Sequence, residues 1–331
     1  MSFRDIPPEL YYNYILPHVI KPPMKLLDWI NVDKIDWGYL SSNMNAIDML
    51  INQIIIDPLK ICWYDIAINP NAIDILKKKP DMIIWSELAL NPNAIDMLEE
   101  KINELTKDEI FWDEEDRDEE EYSNDFFDKI ILNYLSANMN AINILKANPD
   151  KIPINWMLLS ANINAIDMLK ENPDKINWTS LSKNPNAIDM LKDNPDKINW
   201  TYLSENPNAI DMLINQMVIN PDKINWKSLS ENPNAIDMLK DNPDKIDWTS
   251  LSINPNAIDM LINQMVINSD KIDWDNLSGN ENAIDILKKE SQNKINRINW
   301  KRLSSNPNIF EIDHVKLRHQ MEEYYNKYIM I

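Results

Sequence analysis

The tripeptide Asn-Ala-Ile recurs ten times, with its alanine at Ala46, Ala72, Ala94, Ala141, Ala165, Ala187, Ala209, Ala235, Ala257 and Ala283. Counted on to Ile309, where isoleucine takes the alanine's place, the gaps are 26, 22, 47, 24, 22, 22, 26, 22, 26 and 26 residues. Tryptophan keeps step at Trp37, Trp63, Trp85, Trp156, Trp178, Trp200, Trp226, Trp248, Trp274 and Trp300, and Leu132 replaces it once. A period of this size builds a stacked array, in which each unit buries its apolar face on its neighbours, rather than one globular core.

One unit shows the local logic. Asn184 is a strong helix N-cap, and Pro185 suits a first helical position. Ala187, Ile188, Met190 and Leu191 then fall on one apolar helical face. Asn194-Pro195-Asp196 ends that helix, because proline disfavours helix in the residue before it. Asn199 caps a second helix from Trp200, with Ile198 and Leu203 placed as a hydrophobic staple. The 26-residue units add four residues, close to one turn, so a helix lengthens without rotating its buried face.

These features predict an all-α chain, an α-solenoid of about eleven short helix-turn-helix repeats (22 or 26 residues each) with helical end caps. Residues 1–27 are assigned to an N-terminal helical cap and 28–308 to the solenoid. An acidic insertion at 101–125 interrupts the repeats, and 309–331 form a C-terminal capping helix. Eleven helix pairs spaced at ~8–10 Å give a body about 100 Å along its curved path. The body is expected to be elongated, with superhelical curling still leaving a radius of gyration above ~24 Å against ~20 Å for a compact chain of this length.

Composition excludes several chemistries. The only glycines, Gly38 and Gly279, are far apart, whereas phosphate loops and nucleophile elbows need glycines close together. A single cysteine, Cys62, allows no internal disulfide, and no run has zinc-site spacing. The opening MSFRDIPPEL lacks the basic start and apolar stretch of a signal peptide, and no apolar run approaches membrane-spanning length. A reducing cytoplasmic setting and no membrane partner are therefore expected. The net charge of −20 is uneven: residues 99–128 hold 15 acids and three bases, a local −12, which leaves −8 elsewhere. No stripe of Lys and Arg suits phosphate, so nucleic acid is not an expected partner.

The motifs NPNAIDML and DKINWTSLS and the terminal NPNIFEID resemble the tandem-repeat proteins of mimivirus-like giant DNA viruses, over roughly residues 28–320. That family is largely without assigned function. The resemblance implies a viral origin and an action in the host cytoplasm.

Candidate sites are weighed against plainer roles. The tryptophans are expected to be core between neighbouring repeats, and the asparagines to serve caps and turns. Asn177-Trp178-Thr179 and Asn199-Trp200-Thr201 match a glycosylation pattern but read as by-products of the repeat. Cys62 has no adjacent base to activate it. His314 and His319 are five apart, an awkward spacing for a shared metal on a helix, and His18 stands alone. The repeated aspartates have near-identical surroundings, which suits no acid/base pair. No catalytic residue, metal or cofactor is assigned.

Two features keep functional interest. The insertion carries Asp113–Glu121 flanked by Phe111, Trp112 and Tyr122, either a solvated loop or a docking segment for a basic partner. The two positions after each tryptophan vary between otherwise copied units, among them Tyr39, Glu87, Tyr202, Lys227, Asp275, Lys301 and Arg302. On a concave face these would bind a partner. The expected function is a non-enzymatic, monomeric scaffold for a host or viral protein. The alternative, an F-box-like adaptor for host ubiquitin ligation, rests on Ile6-Pro7-Pro8-Glu9-Leu10 and Ile15-Leu16.

Overall fold

In the computed structural model, residues 20–105, 130–293 and 297–328 are described. Most Trp helices form on an Asn or Asp side-chain cap, whereas those at Trp63 and Trp85 follow Cys62 and Ile84, which make no side-chain cap bond. The Asn199 side chain accepts the Tyr202 N–H, and the helix runs Trp200–Glu205 with Ile198 and Leu203 buried beneath it. The second helix starts later than the sequence suggests. Asn184 is the C-cap of the helix Trp178–Lys183, Asn-Pro-Asn is a turn, and the next helix is Ile188–Lys192 with Ala187 at its N-cap. The asparagine amide has better partners than an N-cap offers, as described below. In three of the four 26-residue units the added residues lengthen the second helix, to Ile47–Ile56, Ile210–Ile219 and Ile258–Asn268, whereas in the fourth the helix is only Ile284–Glu290. A buried glutamine closes each extra turn: Gln53, Gln216 and Gln264 donate to the carbonyls of Asp57, Asn220 and Asn268.

The insertion begins beyond its assigned boundary. The helix Ile95–Leu105 continues past position 101, Ile102 is buried, and the Lys101 ammonium lies 5.5 Å from the Trp85 ring centroid. Deleting residues 101–125 therefore removes core, contrary to the neutral outcome the repeat spacing suggests.

Repeats are joined by an asparagine ladder. At all eleven junctions the first Asn of the Asn-x-Asn turn donates both amide hydrogens to two carbonyls of the preceding repeat, at 2.8–3.4 Å. Asn206, for example, reaches Ser182 O and Asn184 O, while its own Oδ1 accepts the Asn208 N–H. Only a short side chain with two donor hydrogens and an acceptor can do all three. The second asparagine adds a bond to the preceding turn, as Asn208 does to Pro185 O. A serine such as Ser182 donates to the Trp178 carbonyl and accepts the Asn199 N–H of the next repeat. Ala67 and Ala89 replace that serine in two repeats, which lack this bond.

The ladder has no free end. Asn43 of the first repeat donates to Ser304 O and Asn306 O of the last, Asn45 donates to Pro307 O, and the Asp36 N–H reaches Ser304 Oγ. Lys34 sits 4.9 Å from the Trp300 ring centroid, as Lys197 sits over Trp178 at 4.4 Å. The first repeat thus packs on the last through the same bonds that join covalent neighbours. A two-stranded antiparallel sheet fastens the seam: β1 (Met24–Leu26) pairs with β2 (Phe310–Ile312), Lys25 facing Glu311 across a 3.0 Å ion pair. Beyond β2 the helix His314–Tyr328 reaches back to repeat 1, where Lys316 meets Asp48 at 2.7 Å. The terminal segments therefore clasp two ends that meet, and the expected elongated body is corrected to a closed ring.

Trp helices of successive repeats pack directly on one another, whereas the Ile helices approach their own repeat more closely than one another. The tighter layer of a curved solenoid is the inner one, so the Trp helices form the inner circle and the Ile helices the outer. Eleven inner helices at ~8–10 Å make a circle of about 100 Å. With each helix reaching ~5–6 Å from its axis, an opening about 20 Å across remains.

The tryptophans are half-buried rather than fully enclosed and packed on the core, and Trp178, Trp200, Trp248 and Trp274 each carry a cation of the next repeat over the ring. Trp226→Ala is accordingly expected to cost about 2–4 kcal/mol, at or below the usual range for removing a large aromatic from a core. Urea denaturation checks the size, and hydrogen exchange should show opening confined to adjacent repeats.

Candidate functional site: the inner wall of the ring

Closure gathers the variable positions. The inner helix buries its leucine and serine, so the residue after each tryptophan, and in several repeats the one after that, is turned toward the opening. Tyr39 (47% exposed), Tyr64, Met157 and Tyr202 (41%) present large apolar surface there. Thr179, Thr201, Lys227, Thr249, Asp275, Lys301 and Arg302 are exposed at the matching positions. Neighbouring wall residues touch across repeats: Lys183 meets Glu205 at 3.0 Å, Ser250 Oγ donates to Glu231, and Asn299 donates to Asp275 at 2.9 Å.

The chemistry of the wall changes around the circle. Repeats 1 and 2, starting at Trp37 and Trp63, offer Tyr39 and Tyr64, repeat 5 offers Met157, and repeats 6 to 9 offer hydroxyls and Tyr202. Repeats 8 and 11 carry Lys227, Lys301 and Arg302, for which no described acid lies within ion-pair distance. The Arg302 side chain passes close to Gly279 of repeat 10. One predicted wall residue is withdrawn. Glu87 is 6% exposed, accepts the Ser86 hydroxyl, and bonds the Tyr64 phenol, which this carboxylate holds above its usual range. A half-exposed tyrosine covers it, so Tyr64 takes its place on the wall; an alternation of polar and aromatic residues at that position gave no warning.

Phe111, Trp112 and Tyr122 lie outside the described residues, as do His18 and the segment carrying the F-box-like match. Cys62 occupies an N-cap without a side-chain cap bond, and burial pushes its thiol above the usual range, away from reactive thiolate. Among the described residues no three His, Cys, Asp or Glu side chains come together, and no helix is long and apolar enough to cross a membrane. His319 pairs with Glu323 on an exposed helix face at 3.5 Å.

Comparison with protein-family models, with curated proteins and with solved structures finds no match to this chain. What the geometry defines is a class: a closed α-solenoid ring with a chemically varied inner wall.

Proposed function

We propose that the protein is a non-enzymatic protein–protein interaction scaffold of a giant DNA virus, acting in the cytoplasm of the infected host cell and holding a host or viral protein on the inner wall. The observation that carries the reading is the division of labour within the repeat. Ladder asparagines and core leucines hardly vary, while the residues turned to the opening differ from unit to unit. A partner surface that is itself irregular can be read by such a wall, with Tyr39, Tyr64 and Tyr202 as anchors and the cations as steering groups. The viral origin is supported by the motif resemblance alone.

The test is affinity purification from infected host cells with the parent chain and with Tyr202→Ala/Lys301→Glu/Arg302→Glu. All three positions are exposed, so helicity and melting should hold. Co-purified partner should fall at least tenfold with the variant. Undiminished capture would move the binding site off the inner wall.

A further inference from the structure

Ten of the eleven junctions between repeats are spanned by the chain itself, and the junction of repeat 11 with repeat 1 is not. Most of the ten carry a three-residue 3-10 turn, such as Pro195–Lys197, so repeats that part there stay within reach of each other. The connection between repeats 3 and 4 lies outside the described residues. The two sides of the seam are tied only the long way round the ring. Its buried part is that of any junction: Asn43 bonds two carbonyls, and Ile309 fills the place of the repeated alanine. What the seam adds is an exposed latch. Strands β1 and β2 are three residues each, the Lys25 and Glu311 side chains are both 45% exposed, and those of Lys316 and Asp48 are 49% and 44% exposed. Ion pairs this open hold weakly and are screened by salt, and a two-stranded sheet of this length is marginal by itself.

We propose that the ring opens at this seam, and that the gap is the entrance to the inner wall. Closed, the ring admits no folded domain, since a domain of 100 residues is roughly 30 Å across, wider than the opening into which Tyr39, Tyr64 and Tyr202 project. A partner with folded mass on both sides of its bound segment therefore reaches the wall only through a gap. The motion needs no single hinge, because each repeat contacts only its neighbours. About 3° at each of ten junctions swings the two sides of the seam apart by on the order of 15 Å. As a route, the seam rests on the wall reading; as an opening, it is a property of the ring alone, and the test reads the two separately.

Three matched amides report the opening. Residues 34–37, 245–248 and 271–274 share the sequence Lys-Ile-Asp-Trp. Asp247 and Asp273 donate their N–H to Ser230 Oγ and Ser252 Oγ across internal junctions at 3.1 Å, and Asp36 donates to Ser304 Oγ across the seam at 3.0 Å. Sequence, acceptor and geometry match, so only the junction differs. Residue-resolved hydrogen exchange on the full chain in ~0.05 M NaCl should find Asp36 at least tenfold faster than the other two. In ~1 M NaCl the ratio should grow several-fold as the ion pairs are screened. Joining Lys25→Cys to Glu311→Cys with a short bis-maleimide, in a Cys62→Ser chain, should return Asp36 to the rate of its internal counterparts. Equal rates in the parent overturn the proposal. So does an Asp36 that stays fast when the seam is joined, which would assign the exchange to fraying of the first inner helix. Added to infected-cell lysate after joining, the locked chain should recover at least tenfold less of any partner that Tyr202→Ala/Lys301→Glu/Arg302→Glu loses. Equal recovery overturns the seam as the route. Absence of any such partner sinks the wall reading and the route with it, while the exchange rates still decide the opening.

Discussion

Asn206→Asp should destabilise the ring by about 3–5 kcal/mol, the largest effect expected of a change so small in volume. The side chain is buried, and its two amide hydrogens serve Ser182 O at 3.1 Å and Asn184 O at 3.0 Å. Aspartate removes both donors and sets a carboxylate against two carbonyl oxygens. Each orphaned buried acceptor costs ~1–3 kcal/mol, before any repulsion is counted. The Asx turn to Asn208 survives, so the loss isolates the contact between repeats. Asn208→Asp is the control: that side chain is exposed and gives up one bond to Pro185 O, worth about 0.5–1.5 kcal/mol. Urea midpoints of the two variants should differ severalfold in their shift from the parent. In acid the gap should narrow, because a protonated carboxyl regains one donor. Equal shifts would mean that the ladder is not what joins the repeats.

Arg297→Ala should cost about 2–4 kcal/mol, at or below the usual penalty for stranding one member of a buried ion pair, because the guanidinium is itself 36% exposed. Glu290 is 4% exposed and is held by Arg297 Nε at 2.9 Å, Arg297 Nη2 at 3.1 Å and Asn293 at 2.7 Å. The guanidinium also covers Trp274 at 4.0 Å, the place that lysine fills in other repeats. The Arg297 hydrogen bonds hold the Glu290 carboxyl below its ordinary 4.5. Its contribution to stability is therefore complete above that value and is lost as pH falls through the lower folded value. Without the guanidinium, the rise caused by burial is opposed only by the Asn293 amide and the backbone N–H of residue 297, so the carboxyl loses its largest source of depression. The melting difference between parent and variant should be widest near neutrality and shrink below about pH 4.5. A difference that ignores pH would assign the loss to the stack on Trp274 instead.

Much of this fold is legible in the sequence, and the reasons are local. The cap at Asn199, the staple of Ile198 with Leu203 and the added turn in Ile210–Ile219 all follow from neighbours within a few residues. The start of the outer helix was misplaced because asparagine-proline looks the same as a cap and as a turn. What decides is a carbonyl pair on another repeat, some 22 to 28 residues away. Closure was hidden for a different reason. It depends on a rotation of about 33° per repeat, summed over eleven, and small per-repeat angles leave no mark in periodicity. One trace did exist. Val32-Asp33-Lys34-Ile35-Asp36-Trp37 opens the array with a turn and an inner helix, and Asn306-Pro307-Asn308 ends it where an outer helix should follow. The start of the array thus continues what its end leaves off. The variable positions of the wall were visible, but Glu87 shows that variation alone does not report exposure.

Closure of the ring is tested most directly by a cysteine pair at the seam. Lys25→Cys and Glu311→Cys, placed in a Cys62→Ser background, substitute partners that face each other across β1 and β2. Serine is a good N-cap, so the Cys62 change is mild. The closed ring predicts near-complete intramolecular cross-linking by a short bis-maleimide in dilute, monomeric protein, together with a radius of gyration below ~24 Å. An open superhelix would hold these residues tens of ångströms apart, and failure to cross-link in a folded, helical chain would contradict the ring.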